Sequence, residues 1–238
     1  MYPTVDEARD RLLAIQDDLL GRDPEARPTV IVCPPFVALP ALREVVDAEA
    51  VLLGAQTCHW EDEGPYTGDV SPRMLRGLVE YVMVGHSERR ATGETDDQVA
   101  RKVAAVAANG LVPILFVGED EPEDDALRVT EDRLRHGLSL TDLPSASPLV
   151  VYEPAWAIGA DRAAPPEHVR RAVEHLKGVL GELGVGEPEV LYGGTVGEEN
   201  VDELAGLDVL DGVGATRSSL DPERFQHILD AVAGGAHR

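Results

Sequence analysis

The sequence predicts an α/β protein built on a parallel sheet whose strands alternate with helices. Two observations support this class: short β-branched runs recur along the chain, and segments with helical periodicity lie between them. Each run is apolar on both faces and bounded by turn residues, as is typical of a strand buried on both sides. The alternation alone fits either an open doubly wound sheet or a closed barrel.

Seven strands and seven principal helices follow one another in order. The predicted strands cover 30–33, 51–53, 81–84, 112–117, 149–152, 190–192 and 209–213. The predicted helices cover 5–20, 40–49, 96–109, 126–137, 166–183, 198–204 and 222–233. Because no linker rich in Pro, Gly and Ser interrupts the alternation, residues 1–238 are predicted to form a single domain.

Composition excludes several classes of function. The 44 acidic and 21 basic residues give a formal net charge of −23, so repulsion argues against nucleic acid or anionic lipid as a partner. No apolar run is long enough to span a membrane, and we expect a cytoplasmic protein. The two cysteines, Cys33 and Cys58, have no metal-type spacing, so no metal site is predicted. The acidity fits either a solvated surface or adaptation to high salt.

The first segment that carries chemistry is GHSERR, residues 85–90, directly after a predicted strand. The carboxyl ends of parallel strands form the ligand crevice, which places His86 and Glu88 there. We expect Ser87 to cap the following helix, whose amino terminus would lower the pKa of His86 and favour a neutral imidazole. A purely structural histidine is the alternative.

The second segment is YEPAWAIGA, residues 152–160, at the end of another strand. Glu153 is followed at once by Pro and Trp, and burial there would raise its basicity, as suits a general base. An ion pair with an arginine is the alternative. The loop 154–160 has rigid ends and small residues inside, as a closing lid does, and Gly159 would let backbone amides approach an anion.

Two further segments are turns that suit a phosphate. LYGGTVG joins a strand to a helix, and the amides of Gly193 and Gly194 with the hydroxyl of Thr195 are candidate donors. One strand later, LDGVGATRSSL brings Thr216 and Arg217 to the equivalent place. Two successive anion-binding turns at the end of a βα series fit the phosphate site that βα barrels build after their last strands.

Together these segments resemble the triosephosphate isomerase family. YVMVGHSERR, YEPAWAIG and LYGGTV are similar to the family's best-known segments, in the same order and at similar distances. The resemblance implies an α/β fold, a (β/α)8 TIM barrel. It also implies an aldose-ketose isomerase of glycolysis and gluconeogenesis that needs no cofactor and interconverts glyceraldehyde 3-phosphate and dihydroxyacetone phosphate. Glu153 would take the proton α to the carbonyl, His86 would polarise that carbonyl, Glu88 would lie beside them, and Gly159 with Thr195 would hold the phosphate.

The segment 54–72 is similar to the loop through which the family dimerises. The resemblance therefore implies a homodimer whose contact is centred on Tyr66 and Thr67. In a two-fold symmetric dimer, this contact pairs the same surface of both copies.

The first departure from the family is at the start of the chain. The family begins with a strand ending in Asn-x-Lys, often followed by Met, whereas this sequence opens with Met1 before a helix. We therefore expect the barrel of the sequence as written to lack its first strand, with Met1 an internal methionine and about ten residues upstream of it. In-frame codons upstream that encode a strand and x-Lys-Met would support this hypothesis, and a stop codon would contradict it. If the chain really starts at Met1, we expect an inactive and poorly folding protein, because the barrel would lack both its first strand and the lysine.

The second departure lies in the last phosphate turn, where Thr216 and Arg217 replace two glycines of the family. An arginine here is similar to the related isomerases that act on four-carbon erythrulose phosphates, which remain an alternative substrate class. The other reading keeps a triose phosphate substrate, with Arg217 directed at solvent or a carboxylate. A catalytically impaired homologue with a binding or regulatory role is a further alternative, because the lysine is absent.

Overall fold

The computed structural model describes residues 3–122, 126–143, 147–158 and 163–235. Its strands are β1 (Val30–Val32), β2 (Val51–Ala55), β3 (Tyr81–Val84), β4 (Val112–Val117), β5 (Leu149–Tyr152), β6 (Val190–Tyr192) and β7 (Gly212–Val213). The helices within these ranges are α1 (Val5–Gly21), α2 (Leu39–Arg43), α3 (Pro72–Leu75), α4 (Ser87–Ala91), α5 (Asp96–Ala108), α6 (Ala126–Leu138), α7 (Pro166–Glu182), α8 (Val201–Ala205) and α9 (Pro222–Gly235). None of these helices has the length and apolar character that a membrane crossing requires.

The seven strands form one parallel sheet whose spatial order is the order of the chain, from β1 to β7. A doubly wound sheet reverses its strand order at a switch point, whereas a βα barrel adds each strand beside the previous one. The sheet curls with its helices outside, so the prediction of a barrel is confirmed. Within the described residues, β1 and β7 are the two outer strands.

The strands pack apolar side chains on both faces, as their composition predicts. On β4, Leu115 and Val117 join the large core between sheet and helices, while Ile114 and Phe116 join a smaller cluster inside the barrel. Successive strand residues point to opposite faces, so this division follows directly from the alternation along β4. The two-sided burial explains why the strands appear in the sequence as uninterrupted apolar runs.

Helix α2 is shorter than predicted, because the prediction extended to residue 49 and the helix ends at Arg43. Beyond it, the Asp47 carboxylate accepts a hydrogen bond from the amide of Glu49, which forms a local turn that competes with the helix. The amide of Asp47 in turn donates to the side-chain oxygen of Gln16 on α1. The short helix α3 was not among the predicted ones, whereas α4 is the helix expected after the GHSERR segment.

Candidate active site

The carboxyl ends of β3 and β5 bring together two side chains that are 67 positions apart in the sequence. His86 follows β3, Glu153 follows β5, and β4 lies between these strands. The His86 Nε2 atom lies 3.0 Å from Oε1 of Glu153, and the ring of Phe116 on β4 meets the imidazole edge-on, with ring centroids 5.0 Å apart. The predicted convergence of His86 and Glu153 at one end of the sheet is thus present.

Gly85 makes the sharp turn from β3 into this site. Its φ of +79° lies in the left-handed region, and a Cβ atom here would lie 3.1 Å from the carbonyl oxygen of Phe116. Glycine is the residue that adopts this conformation without strain. The Gly85 amide donates to Oε2 of Glu94, a buried carboxylate, and this bond fixes the backbone one residue before His86.

Glu153 is a buried carboxylate with two donors. The residue is 5% exposed, and its Oε2 atom accepts a hydrogen bond from the amide of Ser87 at 2.9 Å. Its other oxygen, Oε1, faces Nε2 of His86. Each of the two oxygens of the Glu153 carboxylate therefore has a donor within the protein.

His86, not Ser87, caps helix α4. The prediction of a Ser87 cap is wrong, because the His86 Nδ1 atom accepts the hydrogen bond from the amide of Glu88 at 3.2 Å. An imidazole whose Nδ1 accepts carries its proton on Nε2 when neutral, and that proton points at Glu153. The helix cap therefore selects the tautomer that can donate from Nε2.

The predicted lowering of the pKa of His86 is wrong for this arrangement. Burial does lower this pKa, but the hydrogen bond and charge of Glu153, with smaller contributions from Glu88 and Glu94, raise it more. The net result is a pKa above the ordinary value. The prediction considered the amino terminus of α4, whereas the carboxylate in contact with Nε2 has the larger effect.

We expect the imidazole of His86 to titrate above the ordinary histidine value of about 6.5. This pKa is measured by following the imidazole carbon-bound protons by NMR across pH, with His86→Gln identifying the resonance. Glu153→Gln should lower the value, because it removes the main raising contact. A titration of His86 below about 6.5 in the unaltered protein would contradict this expectation. The linked stability is present at low pH and is lost as pH rises through the folded-state pKa.

Glu88 shares a cavity of about 630 Å³ with Glu153. Its side chain is exposed, while its amide donates to Nδ1 of His86. Two guanidinium groups also line the cavity, and each is held by the protein. Arg90 binds the carbonyl oxygen of Gly85 and the carboxylate of Asp96, so it braces the turn instead of pairing with Glu88.

Arg133, the second guanidinium of this cavity, is held in the same manner. It binds the carbonyl oxygen of Gly118 and the Asp120 carboxylate, which contacts its Nη2 atom at 2.7 Å. Both groups at this edge are therefore engaged in bonds within the protein.

The glycine-rich turn after β6 is packed closely against β5. The amide of Gly193 donates to the carbonyl oxygen of Tyr152 at 2.8 Å, and a Cβ atom on Gly193 would lie 2.3 Å from Cγ1 of Val151. The hydroxyl of Thr195 donates to the carbonyl oxygen of Ala157 at 2.7 Å. Gly194 follows in the same turn. These contacts join the turn to the segment after Glu153, and the phosphate-binding roles of the three residues stay predictions.

The turn after β7 lies beside it, because β6 and β7 are neighbours and the Gly214 amide bonds the carbonyl oxygen of Tyr192. Thr216 and Arg217 are both exposed there. Among the described residues, Arg217 makes no hydrogen bond or ion pair, so it is directed at solvent. Gly159, the remaining predicted phosphate ligand, lies outside the described residues, as does the end of the predicted lid.

One buried carboxylate of the site was missed by the sequence reasoning. Glu119 lies two residues after β4 and is 2% exposed, with the side chains of Tyr152, Trp156 and His168 bonded to it. The signal was available, since a carboxylate close after an apolar strand is similar to the pattern that pointed to Glu153, which directly follows β5. The buried Lys102, which pairs with the Glu94 that binds the Gly85 amide, was missed because a helix residue gives no such signal.

A parallel βα barrel with a histidine and a carboxylate in contact at the carboxyl ends of its strands defines a barrel enzyme that moves protons. Residues 1–232 match the model of one family, described as Triosephosphate isomerase. The chain belongs to the triosephosphate isomerase family, whose members are isomerases.

Relatives named Triosephosphate isomerase cover nearly the whole chain. The protein of Moorella thermoacetica is 40% identical over 240 residues, which are 97% of this chain and 94% of the relative. That of Trichodesmium erythraeum is 37% identical over 97% of this chain and 95% of its own length. That of Roseiflexus sp. strain RS-1 is 38% identical over 96% and 93% of the two chains.

Proposed function

We propose that this protein interconverts glyceraldehyde 3-phosphate and dihydroxyacetone phosphate, the triosephosphate isomerase reaction, with Glu153 as base and His86 as electrophile. The observation that carries the proposal is the contact of 3.0 Å between His86 and Glu153 at the carboxyl ends of the strands. The family match over residues 1–232 supports the same reaction.

In the reaction, the Glu153 carboxylate removes a proton from the carbon next to the substrate carbonyl, which leaves an enediolate. The same carboxyl group returns the proton to the neighbouring carbon while the hydroxyl proton passes from one substrate oxygen to the other, so no atom is gained or lost and no net oxidation occurs. In the structure, the proton on Nε2 of His86 points at Glu153. A substrate oxygen would replace Glu153 as the acceptor of that proton, which frees the carboxylate for the carbon-bound proton and stabilises the enediolate.

Glu88 is proposed to lie beside the reacting carbons, because it lines the cavity that Glu153 also lines. The phosphate group is proposed to bind the amides of Gly159 and Gly194 and the hydroxyl of Thr195, while Gly193 lines the turn with its amide bonded to Tyr152. The Thr195 hydroxyl would have to exchange its bond to Ala157 for one to the phosphate. Thr216 and Arg217 border this position, and on a chain of net charge −23 a guanidinium here would supply local positive potential.

The substrate is tested by comparing kcat/KM for glyceraldehyde 3-phosphate with kcat/KM for erythrulose phosphates, using protein expressed from the complete coding sequence. We expect the triose to be preferred by about 10- to 200-fold, the range for one added group in a fitted pocket. The four-carbon alternative and the impaired homologue are not favoured, since the relatives are named for the triose reaction. A preference for the four-carbon substrates, or no turnover of either one, would overturn the proposed function.

The protein is further proposed to be a cytoplasmic homodimer of glycolysis and gluconeogenesis, as the family resemblance implies. Residues 62–69 form an exposed run that includes Tyr66 and Thr67. The loop is anchored at its base, because the buried ring of His59 packs on Trp60 and Tyr66 with centroid distances of 4.2 and 4.1 Å. An exposed loop with a fixed base suits a contact between two copies.

Replacement of Tyr66 by Arg is expected to shift the protein from dimer to monomer, because it places two like charges at the symmetric contact. The mass is measured by light scattering after size exclusion, against 25.6 kDa for one chain. Leu140→Arg is the matched control, since Leu140 is also exposed and lies elsewhere. A monomeric parent protein, or a Tyr66→Arg variant that stays dimeric, would contradict the proposed interface.

A further inference from the structure

Glu119 is a buried carboxylate that accepts hydrogen bonds from four side chains. Its Oε1 atom accepts from the Tyr152 hydroxyl at 2.8 Å, from Nε1 of Trp156 at 2.9 Å and from Nε2 of His168 at 3.0 Å. Its Oε2 atom accepts from the hydroxyl of Thr130 at 3.0 Å. Burial raises the pKa of Glu119, but these donors outweigh it and lower the pKa to about 2.

The donors to Glu119 lie on both sides of the catalytic base. Tyr152 directly precedes Glu153, and Trp156 follows it by three residues. The backbone repeats the connection, because the amide of Ala155 donates to the carbonyl oxygen of Glu119 at 2.9 Å. The amide of Glu153 itself donates to the carbonyl oxygen of Val117 on the same strand end at 2.7 Å. The bonds from Tyr152, Trp156 and Ala155 to Glu119, together with the bond from the Glu153 amide to β4, therefore set the position of Glu153.

His168 is the member of this cluster that comes from helix α7. It lies in the first turn of α7, and 18% of its side chain is exposed. Its Nε2 atom is 2.8 Å from the Tyr152 oxygen as well as 3.0 Å from Glu119. The Tyr152 hydroxyl donates its one proton to Glu119, so Nε2 of His168 carries a proton and is the donor to both oxygens.

The ring of His168 also contacts Trp156 directly. The two rings meet edge-to-face with centroids 5.4 Å apart. His168 thus restrains Trp156 in two ways: its ring packs against the indole, and both side chains donate to the same Oε1 atom of Glu119. Loss of the Nε2 donor would leave the Glu119 and Tyr152 oxygens short of a hydrogen bond in a buried cluster, where such a loss is costly.

We propose that His168 is a positioning residue for the base: by donating from Nε2 to Glu119 and Tyr152, it ties α7 to the segment that holds Glu153. The proposal rests on the proposed function for its kinetic readout. A general base must be placed accurately, and a displacement of about 1 Å can cost on the order of 100-fold in rate. A positioning role affects kcat more than KM, because the group acts on the reacting step rather than on binding.

The kinetic test compares three replacements. His168→Leu removes the donor, His168→Asn keeps an amide that is too short to reach Glu119, and His168→Gln keeps a donor of similar reach. We expect Leu and Asn to lower kcat by about tenfold with KM changed less than threefold, and Gln to retain kcat within threefold. If the Leu variant does not fold, the Asn variant decides.

The matched control is His175→Leu on the same helix. His175 pairs with Glu131 at 2.8 Å, away from the site, and this variant should leave kcat unchanged. Equal losses of kcat in the Gln and Leu variants, or kcat within twofold of the parent in both the Leu and Asn variants, would overturn the proposal. A loss confined to KM would also overturn it.

A second readout does not depend on catalysis. The chain has two tryptophans, so a Trp60→Phe background leaves Trp156 as the single fluorophore. We expect His168→Leu and His168→Asn to shift its emission to longer wavelength and to increase its quenching by acrylamide, and His168→Gln to do neither. Unchanged emission would overturn the proposal. If the parent protein turns over no triose phosphate, the proposed function fails, and the fluorescence still decides whether His168 holds Trp156.

Discussion

Replacement of Glu153 by Asp is expected to lower kcat about 100-fold, because the carboxylate withdraws by one methylene from the carbon it must deprotonate. Glu153→Gln removes the base and is expected to lower kcat by about 100- to 10,000-fold, the range for loss of a positioned general base. Because the change falls on the proton-transfer step, KM should change much less than kcat. Steady-state assays of the isomerisation in both directions measure these effects.

The matched control for this series is Glu174→Asp on the outer side of α7. Glu174 is exposed, and it approaches Arg170 only at 3.9 Å. The same shortening there should leave kcat unchanged. If Glu153→Asp retained kcat within a fewfold of the parent protein, Glu153 would not be the group that takes the proton.

The second large effect is expected at the buried pair of Lys102 and Glu94. Their side chains are 6% and 3% exposed and hydrogen-bonded to each other. Lys102 also donates to the Thr57 hydroxyl at 3.2 Å. Lys102→Met leaves the Glu94 charge buried without its partner and is expected to lower the free energy of unfolding by about 3–5 kcal/mol. Urea denaturation measures the change.

Two comparisons make this prediction specific. Adding Glu94→Gln to Lys102→Met removes the uncompensated charge while keeping an acceptor for the Gly85 amide, so we expect the double variant to be more stable than Lys102→Met alone. Arg128→Met alters an exposed i,i+4 pair with Asp132 and should cost less than about 1 kcal/mol. A Lys102→Met variant as stable as Arg128→Met would contradict the buried-pair interpretation.

The barrel was predictable because each of its strands is marked by a short continuous run of apolar residues. β4 and β5 have the predicted bounds of 112–117 and 149–152, since two-sided burial produces uninterrupted apolar runs. Helix α2 was not predictable to its end, because the turn at Asp47 depends on a contact with Gln16 that lies 31 residues away. Local periodicity contains no information about such a contact.

In the candidate site too, the residues that follow strands were predictable, whereas the contacts that depend on tertiary packing were not. His86 and Glu153 were predicted because each directly follows a strand, but the contact between them depends on the register of three strands. The raised pKa of His86 follows from that contact and was therefore missed. His168 lies on a helix far along the chain, and only the packing of α7 on the sheet brings it to Glu119. Its role could not be inferred from a pattern of residues.

The most direct test of the account is exchange of carbon-bound hydrogen of dihydroxyacetone phosphate in D₂O, followed by ¹H NMR. Glu153 is the proposed base, so the unaltered protein should incorporate deuterium at the carbon next to the carbonyl far faster than buffer does. Glu153→Gln should slow this incorporation by about 100-fold or more. Incorporation by the unaltered protein at the buffer rate, or equally fast incorporation by Glu153→Gln, would contradict the central claim that Glu153 moves the proton.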